Sequence, residues 1–143
     1  MNIAHILSGK GRDVVTAGPE SSVSDIARTL AEHGIGAVVV TDAARRVLGI
    51  VSERDIVRAI AAGGAAALHH TIARYMTTKV TLAFDAMTVT QAMEQMTNGR
   101  FRHLPVAHDG ALTGLVSIGD IVKHRLAEIE HESNAMREYI ASS

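Results

Sequence analysis

An internal duplication constrains the fold of this chain more than any other feature. Residues 49–57 (GIVSERDIV) recur 65 positions later as residues 114–122 (GLVSIGDIV), and residues 15–16 match residues 80–81 at the same offset. A helix-like stretch between these segments matches at an offset of 66, which indicates single-residue insertions in loops. Two copies are too few for a solenoid, which needs about three repeats. The sequence therefore predicts two related halves arranged as a pseudo-twofold pair.

Each half has the same order of predicted elements: strand, helix, strand, strand and helix. In the first half, the apolar positions from Val23 to Leu30 follow helical spacing, and either Ser22 or Ser24 can cap this helix. The predicted strands are at 13–16, 37–40, 47–51, 80–82, 102–106 and 112–116, and the predicted helices are at about 23–33, 52–62, 88–97 and 119–140. Residues 65–76 of the link are also predicted to be helical. This order indicates a compact α/β fold class.

Composition excludes several classes of function. The 143 residues are 47% hydrophobic and 20% charged, which is typical of a globular protein with a closed core. The 14 basic and 15 acidic residues give a formal net charge of −1, which argues against bulk binding of nucleic acid. The sequence has no Cys and no apolar run long enough to cross a bilayer. With no export signal at its start, we expect a cytoplasmic protein that binds neither nucleic acid nor membrane.

A Ser-x-x-Asp element occurs once in each half, as Ser52 with Asp55 and as Ser117 with Asp120. Each follows an apolar strand and opens a helix, where free N–H groups and the helix dipole attract phosphate. A carboxylate one turn later can accept hydrogen bonds from the two hydroxyls of a ribose. The same pattern is also a capping box, in which both side chains only stabilise the start of the helix. The residues alone leave both interpretations open, because a duplicated cap would be copied as well.

Three motifs together resemble the CBS domain family. They are the duplicated apolar-Gly-x-x-Ser-x-x-Asp element, the strand at residues 35–40 (IGAVVV) and the segment at residues 102–106 (RHLPV). Two copies in one chain resemble a CBS pair, or Bateman module, of the stand-alone bacterial kind. The implied organisation is a first CBS repeat at 8–62, a link at 63–78, a second repeat at 79–126 and a C-terminal helical extension at 127–143.

This resemblance implies a non-catalytic regulatory module that binds an adenine nucleotide between its repeats. The expected ligand is AMP or NAD(H), ahead of ATP, ADP or S-adenosylmethionine, and the expected role is that of an energy or redox sensor. The alternative is a structural dimerisation module in which Ser-x-x-Asp serves only as a helix cap. A downstream protein partner is expected, although the sequence does not identify it. Apolar positions that continue to Met136, Tyr139 and Ile140 predict a disc-like homodimer.

The resemblance also implies two nucleotide sites, each built from both repeats. The residues implied at one site are Ser117, Gly119 and Asp120, with Lys10 near phosphate and Val15, Thr16, Ile35, Gly36 and Ala37 about the base. The residues implied at the other site are Ser52 and Asp55, with Val80, Phe101 and Arg102 about the base and Arg54, Arg102 and His103 as phosphate partners. We expect AMP to prefer the Asp120 site, because Gly119 leaves room for phosphate where Arg54 adds bulk.

Neither a metal centre nor an enzyme is predicted. His124, Glu128 and His131 share one face of the last helix at a spacing that metal ligands can use, but a solvated helix face is the favoured interpretation. The sequence contains no P-loop and no Gly-x-Ser-x-Gly nucleophile frame.

Overall fold

A computed structural model describes residues 1–142 and confirms the α/β architecture. The helices are α1 (Ile3–Lys10), α2 (Val23–His33), α3 (Glu53–Gly63), α4 (Val89–Gly99) and α5 (Ile118–Ser142). The strands are β1 (Thr16–Ala17), β2 (Ala37–Thr41), β3 (Val47–Ser52), β4 (His103–His108) and β5 (Ala111–Ser117). The link, predicted to be helical, forms two short 3₁₀ helices at Gly64–His69 and Ile72–Arg74.

The strands form one sheet in each half. In the first half the order is β1-β2-β3, with β1 parallel and β3 antiparallel to β2. In the second half β4 and β5 form an antiparallel pair with His103 opposite Ser117. The predicted first strand of the first half lies slightly later, at β1, where Thr16 and Ala17 pair with Val39 and Val40.

The prediction of a strand at residues 80–82 is wrong. Only Ala83 joins the second sheet there, in a single parallel bridge to Val106. Its N–H donates to the carbonyl of Pro105 (2.8 Å), and its carbonyl accepts from the N–H of Ala107 (3.0 Å). Val80 and Thr81 instead line a cavity between the halves, so their apolar and β-branched character reflects a site rather than a strand.

The helix starts agree with the sequence pattern because each is capped locally. Ser22, Ser52 and Thr88 each accept a hydrogen bond from the backbone N–H three residues later, and the side chain at that later position accepts from the cap N–H. These reciprocal bonds satisfy backbone donors that a helix start leaves unpaired. Gly34 ends α2 in the left-handed conformation (φ 60°), which glycine adopts without the steric cost of a Cβ.

Each half has its own hydrophobic core, and a segment from outside that half completes each core. The first core consists of α2, α3, β2 and β3, closed by Ile72 of the link. The second consists of α4, α5, β4 and β5, closed by Ile3, Ile6 and Leu7 of α1. The sequence pattern did not predict α1, which completes the second half although it begins the chain. None of the helices within residues 1–142 is both long and apolar enough to cross a membrane.

Candidate functional site

Both Ser-x-x-Asp elements form the same local hydrogen-bond pattern. The Ser52 N–H donates to Asp55 Oδ2 (2.8 Å) and the Ser52 hydroxyl lies 3.1 Å from the same oxygen. The corresponding distances from Ser117 to Asp120 Oδ2 are also 2.8 Å and 3.1 Å. Both elements are therefore capping boxes, and each orients a half-buried carboxylate at the start of its helix. In both, the Oδ1 oxygen has no hydrogen-bond partner among the residues described.

The two carboxylates differ because Lys10 binds only one of them. Lys10 Nζ lies 2.6 Å from Asp120 Oδ2 and donates a second hydrogen bond to the carbonyl of Leu115 (2.8 Å). Burial by itself raises the pKa of the Asp120 carboxyl, but the hydrogen bonds from Lys10 and from the Ser117 backbone outweigh it and hold the pKa below its usual value. Within residues 1–142, Asp55 has no corresponding cation in an ion pair.

This difference in ion pairing arises because the segments that lead into the two halves have different lengths. Leu7 packs against Gly114 of β5, and Met76 packs against Gly49 of β3, so α1 and the end of the link occupy equivalent places in the two halves. From these anchors to the matching Val15 and Val80 there are eight residue steps in the first case and four in the second. The longer segment extends α1 by about one turn and brings Lys10 to Asp120.

A cavity of about 530 Å³ opens on the Asp55 side, between the two halves. This volume lies in the range of small-molecule sites. The first half contributes Gly36, Ile50, Ser52, Glu53, Arg54, Asp55 and Arg58, and the second half with the end of the link contributes Thr77, Lys79, Val80, Thr81, Gly99, Arg100, Phe101, Arg102 and His103. A methyl group on Gly36 would lie 3.2 Å from His103 Cε1, so the glycine leaves room for the imidazole.

The cavity has an excess of positive charge. Its cations are Arg54, Arg58, Lys79, Arg100 and Arg102, against two carboxylates, Glu53 and Asp55. In the part of the chain that the structure describes, none of these five cationic side chains forms a salt bridge or a side-chain hydrogen bond. Cations that converge on one cavity without partners favour an anionic ligand, and arginine in particular suits phosphate.

His103 lies between the two candidate sites. Burial lowers the pKa of its imidazole. The positive charges of Lys10 and Arg102 lower it further, and the negative charges of Glu53 and Asp120 act in the opposite direction. His103 is therefore neutral near pH 7, when it can both donate and accept a hydrogen bond.

The structure brings together half of the residues implied by the resemblance. Those that line the cavity are Gly36, Ser52, Arg54, Asp55, Val80, Phe101, Arg102 and His103. The others, which lie outside it, are Lys10, Val15, Thr16, Ile35, Ala37, Ser117, Gly119 and Asp120. The preference of AMP for the Asp120 site stays a prediction, although the open cavity lies on the other side.

Several cavity residues lie outside the set that the sequence predicted. Arg58 lies three residues after Asp55 and four after Arg54, a helical spacing that could have identified it. Lys79 and Arg100 have no such signal, because they reach the cavity only through the packing of the second half against the first. The weak candidate for a metal site does not assemble, since no cluster of three or more ligating side chains forms within residues 1–142.

The structure thus has two equivalent strand–helix units with a charged cleft between them. This arrangement indicates the class of protein. The CBS domain model matches residues 10–62 and 72–127, and the chain belongs to the CBS domain family as a pair of repeats. The crystal structure of the CBS-domain containing protein ATU1752 from Agrobacterium tumefaciens is 51% identical, with a TM-score of 0.84 over 87% of this chain and 99% of that chain.

Two further relatives bear on the interpretation. The CBS domain protein PAE2072 from Pyrobaculum aerophilum, solved in complex with AMP, is 29% identical, with a TM-score of 0.74 over 84% of this chain and 89% of that chain. An uncharacterised 17.7 kDa protein of Acidianus ambivalens is 37% identical over 106 residues, which are 73% of this chain and 63% of that protein. The chain thus spans less than two thirds of the length of the Acidianus relative.

Proposed function

We propose that this CBS pair is a non-catalytic regulatory module that binds an adenine nucleotide, AMP or NAD(H), in the cavity beside Asp55. The observation that carries the proposal is the combination of an oriented carboxylate with five cationic side chains that have no ion-pair partner among the described residues 1–142. The AMP bound to the Pyrobaculum relative supports this class of ligand.

The cavity residues suit the three parts of a nucleotide. Asp55 keeps Oδ1 available as an acceptor for a ribose hydroxyl, while Oδ2 is held by Ser52. Phe101 and Val80 offer apolar surface to the base. The surrounding arginines, with Arg54 at the start of α3, offer donors to phosphate.

The Asp120 site fills second in this proposal. Lys10 already occupies the carboxylate that would accept the ribose hydroxyls, so a ligand must first displace its ammonium group. The sequence favoured a different role, in which Lys10 approaches the phosphate. The two roles predict opposite effects of removing the lysine on nucleotide binding at the Asp120 site.

A sensing role follows if the ligand binds one arrangement of the two halves better than another. A ligand shifts such an equilibrium only by its differential affinity for the two states. Because the cavity is lined by both halves, closing them around a nucleotide brings the unpaired cations nearer to its phosphate. The energy or redox signal, the downstream protein and the cytoplasmic location stay predictions.

A homodimer is also part of the proposal. Val57 and Ile60 on α3, and Val122, Leu126 and Ile129 on α5, are large apolar side chains that remain exposed. Val57 and Val122 are equivalent positions of the duplication, so each half presents the same apolar point. A second copy that covers both helices would bury these side chains. Sedimentation of the chain as a monomer at tens of micromolar would contradict the dimer.

The competing function, a structural dimerisation module, is favoured by one observation: both Ser-x-x-Asp elements form complete capping boxes. The chain offers a matched control, because Ser22 and Asp25 form the same box at the start of α2 and do not line the cavity. Asp55→Ala and Asp25→Ala should each lower stability by about 0.5–2 kcal/mol through the lost cap.

The two variants should differ in nucleotide binding only if the chain binds a nucleotide beside Asp55. Calorimetric titration with AMP and with NADH should show at least tenfold weaker binding for Asp55→Ala and unchanged binding for Asp25→Ala. Mass spectrometry of small molecules released from the purified, denatured protein gives an independent test. If no adenine nucleotide is released and none binds at millimolar concentration, the proposed function is wrong and the capping boxes are only caps.

A further inference from the structure

Helix α5 continues well beyond the core that it helps to close. Its only fully buried residue is Ile121, and after Ile129 every described residue of the helix is exposed. The helix nevertheless carries large exposed apolar side chains on both sides of Ile129, such as Leu126 (60% exposed) before it and Met136 (59%) after it. A solvated tail has no need of such residues.

These side chains follow a heptad pattern. We define the α5 seam as residues 122, 126, 129, 133, 136 and 140, which are Val, Leu, Ile, Ser, Met and Ile. Successive members are separated by four, three, four, three and four residues, and this alternation is the a/d repeat of a coiled coil. The seam spans 18 residue steps, or roughly 27 Å of helix.

The α5 seam faces away from the rest of the chain. The residues of α5 that contact the second half lie on another side of the helix, where Ile121 is buried and Glu128 binds both the N-terminal amine (3.4 Å) and Arg125 (3.0 Å). A second helix can therefore reach the seam without displacing any part of this half.

The charges beside the seam select the occupant and its direction. Arg125 and Glu132 occupy g positions, and Glu130 and Arg137 occupy the following e positions. In a parallel, in-register pair of helices, each g residue faces the e residue five positions later on the other helix. The chain then places Arg125 opposite Glu130 of a second copy and Glu132 opposite Arg137 of a second copy. Both pairs are attractive, and each occurs twice because the arrangement is symmetric.

We propose that residues 122–140 form a parallel, in-register, two-stranded coiled coil with a second copy of this chain. This inference deepens the homodimer of the proposed function, because it fixes the direction and register of the partner. Ser133 at a seam position lowers the stability of the coil but does not interrupt its register.

The absence of Cys from the chain allows a direct test with single-cysteine variants. Leu126→Cys and Met136→Cys lie at seam positions ten residues apart, roughly 15 Å along the helix. A parallel in-register coil brings both positions close to their own copies, whereas an antiparallel pair can do so at one level only. Glu138→Cys is the matched control, since it is equally exposed but lies on the opposite face of the helix from the seam.

After mild oxidation, we expect disulfide-linked dimers from Leu126→Cys and from Met136→Cys, and only monomers from Glu138→Cys, on a non-reducing gel. Cross-linking at one seam position, at neither, or equally at the control would overturn the coiled coil. Sedimentation of the unmodified chain tests the homodimer separately from the coiled coil. A monomer refutes the homodimer and the coil together, whereas a dimer without seam cross-links refutes the coil alone.

Discussion

Removing the ammonium group of Lys10 tests the proposed difference between the two sites. In Lys10→Met an unbranched apolar side chain of similar length replaces the lysine, while the hydrogen bonds to Asp120 and to the Leu115 carbonyl are lost. The Ser117 N–H and hydroxyl still hold Asp120, so the carboxylate should stay in place. A nucleotide then finds the carboxylate without a competing cation, and its binding to the Asp120 site should strengthen.

The size of the effect follows from the exposure of the pair. A hydrogen bond to a charged group contributes about 1.5–3 kcal/mol, and an exposed ion pair about 0.2–1 kcal/mol. The side chains of Lys10 and Asp120 are 37% and 24% exposed, so solvent screening places their interaction near the lower range, at about 1 kcal/mol. A ligand that must break it binds roughly fivefold more weakly. The same loss should lower the melting temperature of Lys10→Met by about 3 °C.

The assay isolates the Asp120 site. Asp55→Ala weakens the first site at least tenfold, which leaves the Asp120 site as the tighter of the two, and calorimetric titration with AMP then compares Asp55→Ala alone with Asp55→Ala/Lys10→Met. We expect roughly fivefold tighter binding in the double variant. Arg28→Met is the control, because it removes an exposed cation of α2 that pairs with Asp25 on the same helix and does not line the cavity. Weaker binding in the double variant would refute the reasoning and would assign Lys10 to the phosphate.

The stabilisation of the fold by the Lys10–Asp120 pair depends on pH. The folded state holds the pKa of the Asp120 carboxyl below its usual value, so the resulting stabilisation is present above about pH 4 and is lost as the pH falls through the lowered pKa. The stability difference between the unmodified chain and Lys10→Met should therefore shrink in strong acid to the part that the hydrogen bond to the Leu115 carbonyl contributes. A difference of the same size at all pH values would mean that the ion pair with Asp120 does not stabilise the fold.

Three further predictions concern other parts of the molecule. Because the folded state lowers the pKa of His103, the chain should lose stability as the pH falls below about 6.5, and His103→Gln should flatten this loss in denaturant titrations; parallel curves would contradict it. Leu7→Ala should cost about 2–5 kcal/mol, because Leu7 of α1 is 1% exposed in the second core, whereas a cost below 1 kcal/mol would mean that α1 is dispensable. Glu132→Arg should weaken the dimer roughly three- to tenfold in sedimentation equilibrium, and Glu132→Arg/Arg137→Glu should restore it; failure of the double variant to recover would exclude the charge pairing.

The fold could be predicted from the sequence wherever its signals are local. The serine and threonine caps fix the helix starts, and the turn at Asp109 and Gly110 joins β4 to β5 as the pattern of residues indicates. The duplication supplied the rest, because an element identified in one half could be sought in the other. Helix α1 has a cap of its own at Asn2, but it has no helical copy in the other half, and eight residues with three core positions give too short a period to recognise.

The candidate site was predictable only in part, for a physical reason. Ser52 and Asp55 are adjacent on one helix start, so their geometry follows from three residues of spacing. The Lys10–Asp120 contact joins residues 110 positions apart, and Lys79 and Arg100 reach the cavity from a different half than Asp55. The periodicity of the sequence does not reveal such contacts, because they arise from the packing of α1 and of the two halves against each other.

Duplication alone would give two equal sites, but the two Ser-x-x-Asp elements of this chain have different surroundings. The two Ser-x-x-Asp elements have kept the same geometry to within 0.1 Å in their serine contacts, so the difference cannot lie in the carboxylates themselves. Beside the exchange of Arg54 for Gly119, it lies in the connection that precedes each half, where a longer segment adds Lys10 to one carboxylate and a shorter one leaves the other facing a cavity. In the proposed function, an internal cation worth about 1 kcal/mol would separate the affinities of the two sites roughly fivefold without altering any residue that lines the first site. Changing the length of the segment between Leu7 and Val15 is therefore a direct way to alter the second site while leaving the Asp55 site intact.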